Sequence, residues 1–291
     1  MDFTPNEILA AFQGPLAFNF RVMRETYRVR SFELLPDPAS ILHIEDAQGE
    51  ALPLHLPTDR VIGLQTLIKG QWDRQKQDYL EQILNNFPYP LTLIDVGSNI
   101  GLFSRQCLNR IKRIDRLYCY EPNPANFGLL RRNVAGPAMI ELNNYGLSNA
   151  AGTLDFHVDP DNVGNCSLHE AALSGDHQII QVEIRGAYAE SHRWMQDADA
   201  HFLYKSDTQG FDEIISTSID PAFWPRVKAG IFELWRLPGK AAYDVDRFVS
   251  ILDAFPNKVF EKAPRANVSS REVLAYLDSV DRDYDDLYFW R

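Results

Sequence analysis

Polar residues cluster where apolar runs end, and their types suit binding and proton transfer. The first cluster is Asp95-Val96-Gly97-Ser98-Asn99-Ile100-Gly101. It follows Leu91, Leu93 and Ile94, a run that reads as a buried parallel strand. It precedes Leu102, Phe103, Cys107, Leu108 and Ile111 at helical spacing. The two glycines allow a sharp turn and close approach of a ligand. A helix start offers free N–H groups and partial positive charge, which suits an anionic group such as a carboxylate. The second cluster is Glu121-Pro122-Asn123-Pro124, after Arg116-Leu117-Tyr118-Cys119-Tyr120. An acidic residue at that strand end, about twenty residues after the glycine turn, can accept both hydroxyls of a ribose.

The third cluster is Lys205-Ser206-Asp207-Thr208-Gln209-Gly210-Phe211-Asp212, after Phe202-Leu203-Tyr204. A carboxylate at that edge can serve as a general base or bind a cation. Asp207 is the first candidate base, ahead of Asp212 and of His169 in the long polar loop 159–177. A competing reading makes Asp207 a helix cap. Glu233 lies inside an apolar strand, so it has a partner or reaches the crevice. The histidines show no metal-ligand spacing, and the Asp207–Asp212 spacing does not demand a cation, so no metal site is assigned. A dinucleotide fits less well, because the G-x-G-x-x-G fingerprint is incomplete, and there is no phosphate loop with Lys before Ser or Thr.

The elements that must position these groups follow from periodicity. From Pro90 the pattern alternates strand and helix, which predicts a parallel sheet. Strands are expected at 91–96, 116–120, 138–145, 202–206, 229–235, 258–260 and 286–290, with extra strands at 153–158 and 179–184. Helices are expected at 100–111, 124–133, 188–200, 243–255 and 271–277. Residues 1–89 read as a small β-containing segment with short strands at 31–35, 41–45 and 52–56 and a helix at 72–86. His43 and His55 fall in its strand pattern as structural residues. The expected division is 1–89 and 90–291.

Composition bounds the function classes. The chain has 291 residues, is 45% hydrophobic, and carries a formal net charge of -11. That balance disfavours a nucleic-acid surface, which needs clustered Lys and Arg. No run is long and apolar enough to span a bilayer, and no secretory leader is legible, so a cytoplasmic location is expected. Cys107, Cys119 and Cys166 form no CxxC pair. Cys107 and Cys119 fall in apolar stretches, while Cys166 lies in the polar loop and could be exposed.

The clusters, in this order, resemble the FkbM family of S-adenosylmethionine-dependent methyltransferases. The matching residues are Asp95 to Ser104, Glu121-Pro122-Asn123-Pro124 and Asp207-Thr208-Gln209-Gly210-Phe211-Asp212, within about residues 90–260. Ser98, Gln209 and Asp212 stand where the family often has Ala, Glu and Glu. The resemblance implies an α/β class I methyltransferase fold, a Rossmann-like seven-stranded sheet with helices on both faces. It implies S-adenosyl-L-methionine as cofactor, with Asp95, Gly97, Ser98, Asn99 and Gly101 on its methionine part and Glu121 on its ribose. Its adenine would lie near Gly146, Leu147 and Ser148, and Asp207 beside the transferring methyl. The implied reaction is O-methylation of a glycan or glycosylated metabolite. Alternatives are a non-sugar acceptor such as a polyketide, for which Trp224, Trp235 and Trp290 could line a pocket, and a non-catalytic cofactor-binding module.

Overall fold

The computed structural model describes residues 29–34, 39–45, 51–57, 61–63, 66, 74–84, 87–136, 138–159, 162, 164, 166–168, 177–264, 267–279 and 283–291. His169 lies outside the described residues. The chain divides into two compact units, residues 1–74 with 161–163, and residues 75–160 with 164–291. In the first, β1 (Val29–Leu34), β2 (Ala39–Glu45) and β3 (Ala51–Pro57) form an antiparallel sheet in the order β1-β2-β3. These are the three short strands expected from the alternation of apolar residues.

The second unit is built on a seven-stranded sheet. Its strands are β4 (Leu91–Val96), β5 (Ile114–Tyr120), β6 (Met139–Asn143), β11 (His201–Ser206), β12 (Val227–Trp235), β13 (Asn257–Phe260) and β14 (Tyr284–Trp290). Their order is β13-β14-β12-β11-β4-β5-β6. β6, β5, β4, β11 and β12 run parallel, and β14 is antiparallel to both of its neighbours. This is the class I methyltransferase architecture. β4 is buried along its whole length, as its continuous apolar run requires. Ligands in such sheets bind beyond the carboxyl ends of the strands, where the order reverses between β4 and β11.

Helices cover both faces. α1 (Arg74–Leu84), α2 (Leu102–Arg110) and α3 (Pro124–Asn133) place Leu80, Leu84, Cys107 and Leu130 against Leu91, Leu93, Cys119 and Ile231. α4 (Ala187–Trp194), α5 (Asp212–Ser218), α6 (Val245–Asp253) and α7 (Ser270–Asp278) cover the other face. There Trp194, Ile215, Phe248 and Val273 join Ile94, Val96, Tyr204 and Phe232. Trp224 is buried in that core, and Trp290 packs on the opposite cluster. α7 begins with a full capping box of Ser269 and Glu272.

The structure differs from the sequence expectation between β6 and β11. The third strand stops at Asn143, and Gly146–Ser148 forms a separate strand, β7. With β8 (Gly152–Val158), β9 (Cys166–Ser167) and β10 (Gln178–Gly186) it makes a four-stranded sheet in the order β7-β10-β8-β9. β6 ends where its partner β5 ends, at the Tyr120–Asn143 pair, and Gly146–Ser148 pairs instead with β10. α4 ends at Trp194, short of the expected residue 200, because Gln196, Ala200 and Arg226 turn the chain into β11 through backbone and side-chain bonds.

Candidate cofactor and acceptor site

The glycine turn is fixed from three directions. Ser98 Oγ donates to the Asp95 carbonyl at 2.7 Å and accepts from Tyr120 N–H at 3.1 Å. The Gly97 and Ser98 amides both donate to the Tyr120 carbonyl at 3.0 Å. Ser98 therefore staples the ends of β4 and β5. Gly97 has φ 76° and Gly101 φ 83°, a region that costs an L-residue about 1–2 kcal/mol. A Cβ at Gly97 would overlap the Asp207 carbonyl oxygen, and one at Gly101 would lie 2.7 Å from Leu130 Cδ1. Both glycines thus serve close packing of the protein on itself. Asn99 also adopts positive φ, at 51°, a conformation Asn tolerates better than most residues.

Glu121 leaves β5 and folds back onto this turn. Its Oε2 accepts the Asn99 N–H at 2.9 Å, and its Oε1 accepts the Asn123 N–H at 2.8 Å. The carboxylate is 4% exposed. Burial pushes its pKa up to about 7, against the lowering effect of those two amides. Each oxygen keeps a lone pair, so two adjacent hydroxyls are its natural ligand. Asn144 donates to the Glu121 carbonyl at 2.9 Å and ties the following turn to it. Leu147 and Ser148 lie buried on β7 beyond that turn, and Gly146 faces Pro122 and Ile184. Cys166 is half-buried, and burial with the nearby Glu121 charge pushes its thiol up to about 12.

The β11 end is organised by a buried lysine. Lys205 Nζ donates to the Gly97 carbonyl at 2.7 Å and pairs with Asp95 Oδ1 at 3.1 Å and Asp207 Oδ2 at 3.6 Å. Asp95 is fully buried, and its other oxygen accepts from Ser104 Oγ at 2.5 Å. Burial works against the lysine charge, but the two carboxylates outweigh it and raise its pKa. Asp207 keeps a side chain 26% exposed. Burial opposes its ionisation, yet Lys205 and Lys76 together hold it below the usual carboxylate range. α5 is capped at Phe211 without a side-chain bond, so Asp207 stands outside the helix and turns to Lys205. Asp212 is the first helical residue, fully buried, with Oδ2 accepting Thr208 N–H at 3.4 Å. Burial and the adjacent Glu213 push it up to about 7.

Strand register extends this edge. Ser206 pairs with Phe232, and Glu233 with Asp286, so Asp207, Glu233 and Asp286 stand in a row across β11, β12 and β14. Lys76, near the start of α1, pairs with Asp286 at 2.9 Å. Lys76 and Asp286 carried no sequence signal, since α1 reads as an ordinary amphipathic helix and Asp286 as a strand end. Gln209 takes φ 55° and is pinned there, its Nε2 donating to Glu233 Oε2 at 3.0 Å and its carbonyl accepting from Ser167 Oγ at 2.8 Å. Among the described residues no group of three His, Cys, Asp or Glu side chains is arranged to hold a metal ion.

These residues fit S-adenosyl-L-methionine on the chemistry of the donor set. Glu121 suits vicinal ribose hydroxyls, and the start of α2 has no side-chain cap and suits a carboxylate.

No family model matches the chain. A methyltransferase of Sordaria araneosa, sdnD, is 25% identical over 182 residues, covering 53% of this chain and 70% of that protein. The hexuronic acid methyltransferase AglP of Haloferax volcanii is 29% identical over 107 residues, 36% of this chain and 42% of its own length. Among solved structures, methyltransferase FkbM from Methylobacillus flagellatus KT aligns over 78% of this chain and 52% of its own, at 13% identity and a TM-score of 0.40.

Proposed function

We propose that this chain, an FkbM-like methyltransferase, moves a methyl group from S-adenosyl-L-methionine to a hydroxyl of a glycan or glycosylated metabolite. When bound, the cofactor supplies an electrophilic methyl carbon on a sulfonium. Glu121 holds the ribose hydroxyls, and the amides at the start of α2 hold the carboxylate. Asp207 accepts the acceptor's hydroxyl proton as the oxygen attacks. A base in position contributes about 10²–10⁴-fold, and alignment of the acceptor contributes further by removing orientational freedom.

The observation that carries this reading is Asp207 itself. It is partly open, stays ionised beside Lys205, and its carbonyl lies against the glycine turn at Gly97. A sugar acceptor draws support from Tyr284, 39% exposed and stacked on Trp235 at 4.8 Å. An aromatic face beside carboxylates suits a ring with hydroxyls. The hexuronic acid methyltransferase among the relatives points the same way.

The test is transfer of labelled methyl from S-adenosyl-L-methionine to a panel of glycans, nucleotide sugars and polyketide aglycones, with and without a chelator. Signal on sugars that is lost in Asp207→Ala is the expected result. Signal confined to aglycones would move the acceptor class. Cofactor binding with no transfer to any acceptor would overturn the reading in favour of a non-catalytic module.

A further inference from the structure

The mechanism gives Glu233, the middle carboxyl of the row, no task. Glu233 is 5% exposed, between Asp207 and Asp286 on adjacent strands. Each flanking carboxylate has a lysine, Asp207 with Lys205 and Asp286 with Lys76 at 2.9 Å. The hydrogen bonds to Glu233 come from neutral groups. Its Oε2 accepts from Trp235 Nε1 at 2.6 Å and from Gln209 Nε2 at 3.0 Å. Three ionised carboxylates side by side, two of them buried, repel one another, and the proton goes to the member with no cation of its own. With Oε2 saturated by two N–H donors, the proton sits on Oε1.

We propose that Glu233 is a positioning residue, a neutral carboxylic acid whose O–H donates to the Asp207 carboxylate and leaves Asp207's other lone pairs for the acceptor hydroxyl. The proposal rests on the methyl-transfer reading given above. Titration directions agree with it. Burial first, then Asp207 and Asp286, hold Glu233 protonated far above the usual range, while the bond from Glu233 helps to keep Asp207 ionised. The groups facing Glu233 are Asp207 and Gln209 beyond β11, Trp235 on its own strand, Asp286 and Tyr284 on β14, and Lys76 on α1. Lys76 pulls Glu233 toward ionisation, and it sits against Asp286 at 2.9 Å.

The test uses the full chain with Glu233→Gln and Glu233→Leu. The amide keeps a neutral donor toward Asp207 and an acceptor toward Trp235 and Gln209. An infrared difference spectrum, Glu233→Gln minus wild type near pH 7.5, should show loss of one protonated-carboxyl band. The ratio of S-adenosylmethionine to S-adenosylhomocysteine affinity, read by calorimetry, should stay within about threefold in Glu233→Gln, since no charge is removed. Turnover in Glu233→Gln should stay within about tenfold of wild type, while Glu233→Leu should fall about 10²-fold, with the acid limb of its pH–rate profile moved to higher pH. Absence of the band in wild type, or a selective loss of S-adenosylmethionine affinity in Glu233→Gln, would overturn the proposal. Equal loss of turnover in both variants would do so as well. The infrared and binding arms need no acceptor. Failure of wild type to bind either cofactor form would instead refute the methyltransferase reading, and the infrared band would still decide the proton.

Discussion

Replacing Glu121 by Gln separates the two things this side chain does. Its carboxyl is moved by burial from 4.5 to about 7. At 1.36 kcal/mol per unit, that is about 3 kcal/mol of pH-dependent stability. The sign follows from proton counts. Between pH 4.5 and 7 the folded chain holds a proton on Glu121 that the unfolded chain has lost, so stability falls as pH rises through this window and levels above it. Gln has no proton to lose and removes that slope. Gln also turns an amide N–H₂ toward either the Asn99 or the Asn123 N–H, a mismatch of about 1–3 kcal/mol at every pH. The variant should therefore be clearly less stable than wild type near pH 5 and should close the gap by about 3 kcal/mol by pH 8, or about 6–12 °C for a domain of this size. Thermal and urea unfolding at pH 5, 6, 7 and 8 read this directly. Calorimetry with S-adenosylhomocysteine at pH 8 should show about 10–100-fold weaker binding, because a charged acceptor is lost. Parallel stability curves for the two proteins would refute the burial argument, and unchanged affinity would refute the ribose role.

Three further substitutions probe the same edge. Gly97→Ala places a Cβ on the Asp207 carbonyl oxygen at a left-handed φ, so a fall of more than about 2 kcal/mol in unfolding free energy is expected; an unchanged urea midpoint would show that the turn shifts freely. Lys205→Met strands the buried Asp95 and the half-buried Asp207 without their shared cation, a loss of about 3–5 kcal/mol in urea unfolding, and a change under about 1 kcal/mol would show that the lysine is not what holds the turn. Asp207→Asn should lower turnover by about 10²–10⁴-fold with S-adenosylhomocysteine affinity held within about threefold; turnover near wild type would move the proton to another acceptor.

Much of the fold was written in short-range pattern. The β4 run, the glycine turn and α2 are contiguous, and their periodicity switches from strand to helix within a few residues. The sequence placed Glu121 at a strand end for the same local reason. It did not reveal the four-stranded sheet, because β7 and β9 are 3 and 2 residues long, too short for any period to register. Nor did it give the reason for Gly97 and Gly101, which pack against Asp207 and Leu130 on distant elements.

The charge pattern at the edge was decided by the tertiary structure. Lys205 and Gly97 are 108 residues apart, and Gln209 and Glu233 are 24 apart. Lys76 and Asp286 come from opposite ends of this unit. The sequence by itself named Asp207 and Glu233 as polar residues ending or interrupting apolar strands. It could not say that register sets them side by side, that Lys205 and Lys76 flank them, or that one of them is left without a cation. Register between strands is fixed by the packing of whole faces, and a carboxyl's proton by the charges around it. Both are sums over residues far apart in sequence, and they take definite values once the sheet has formed.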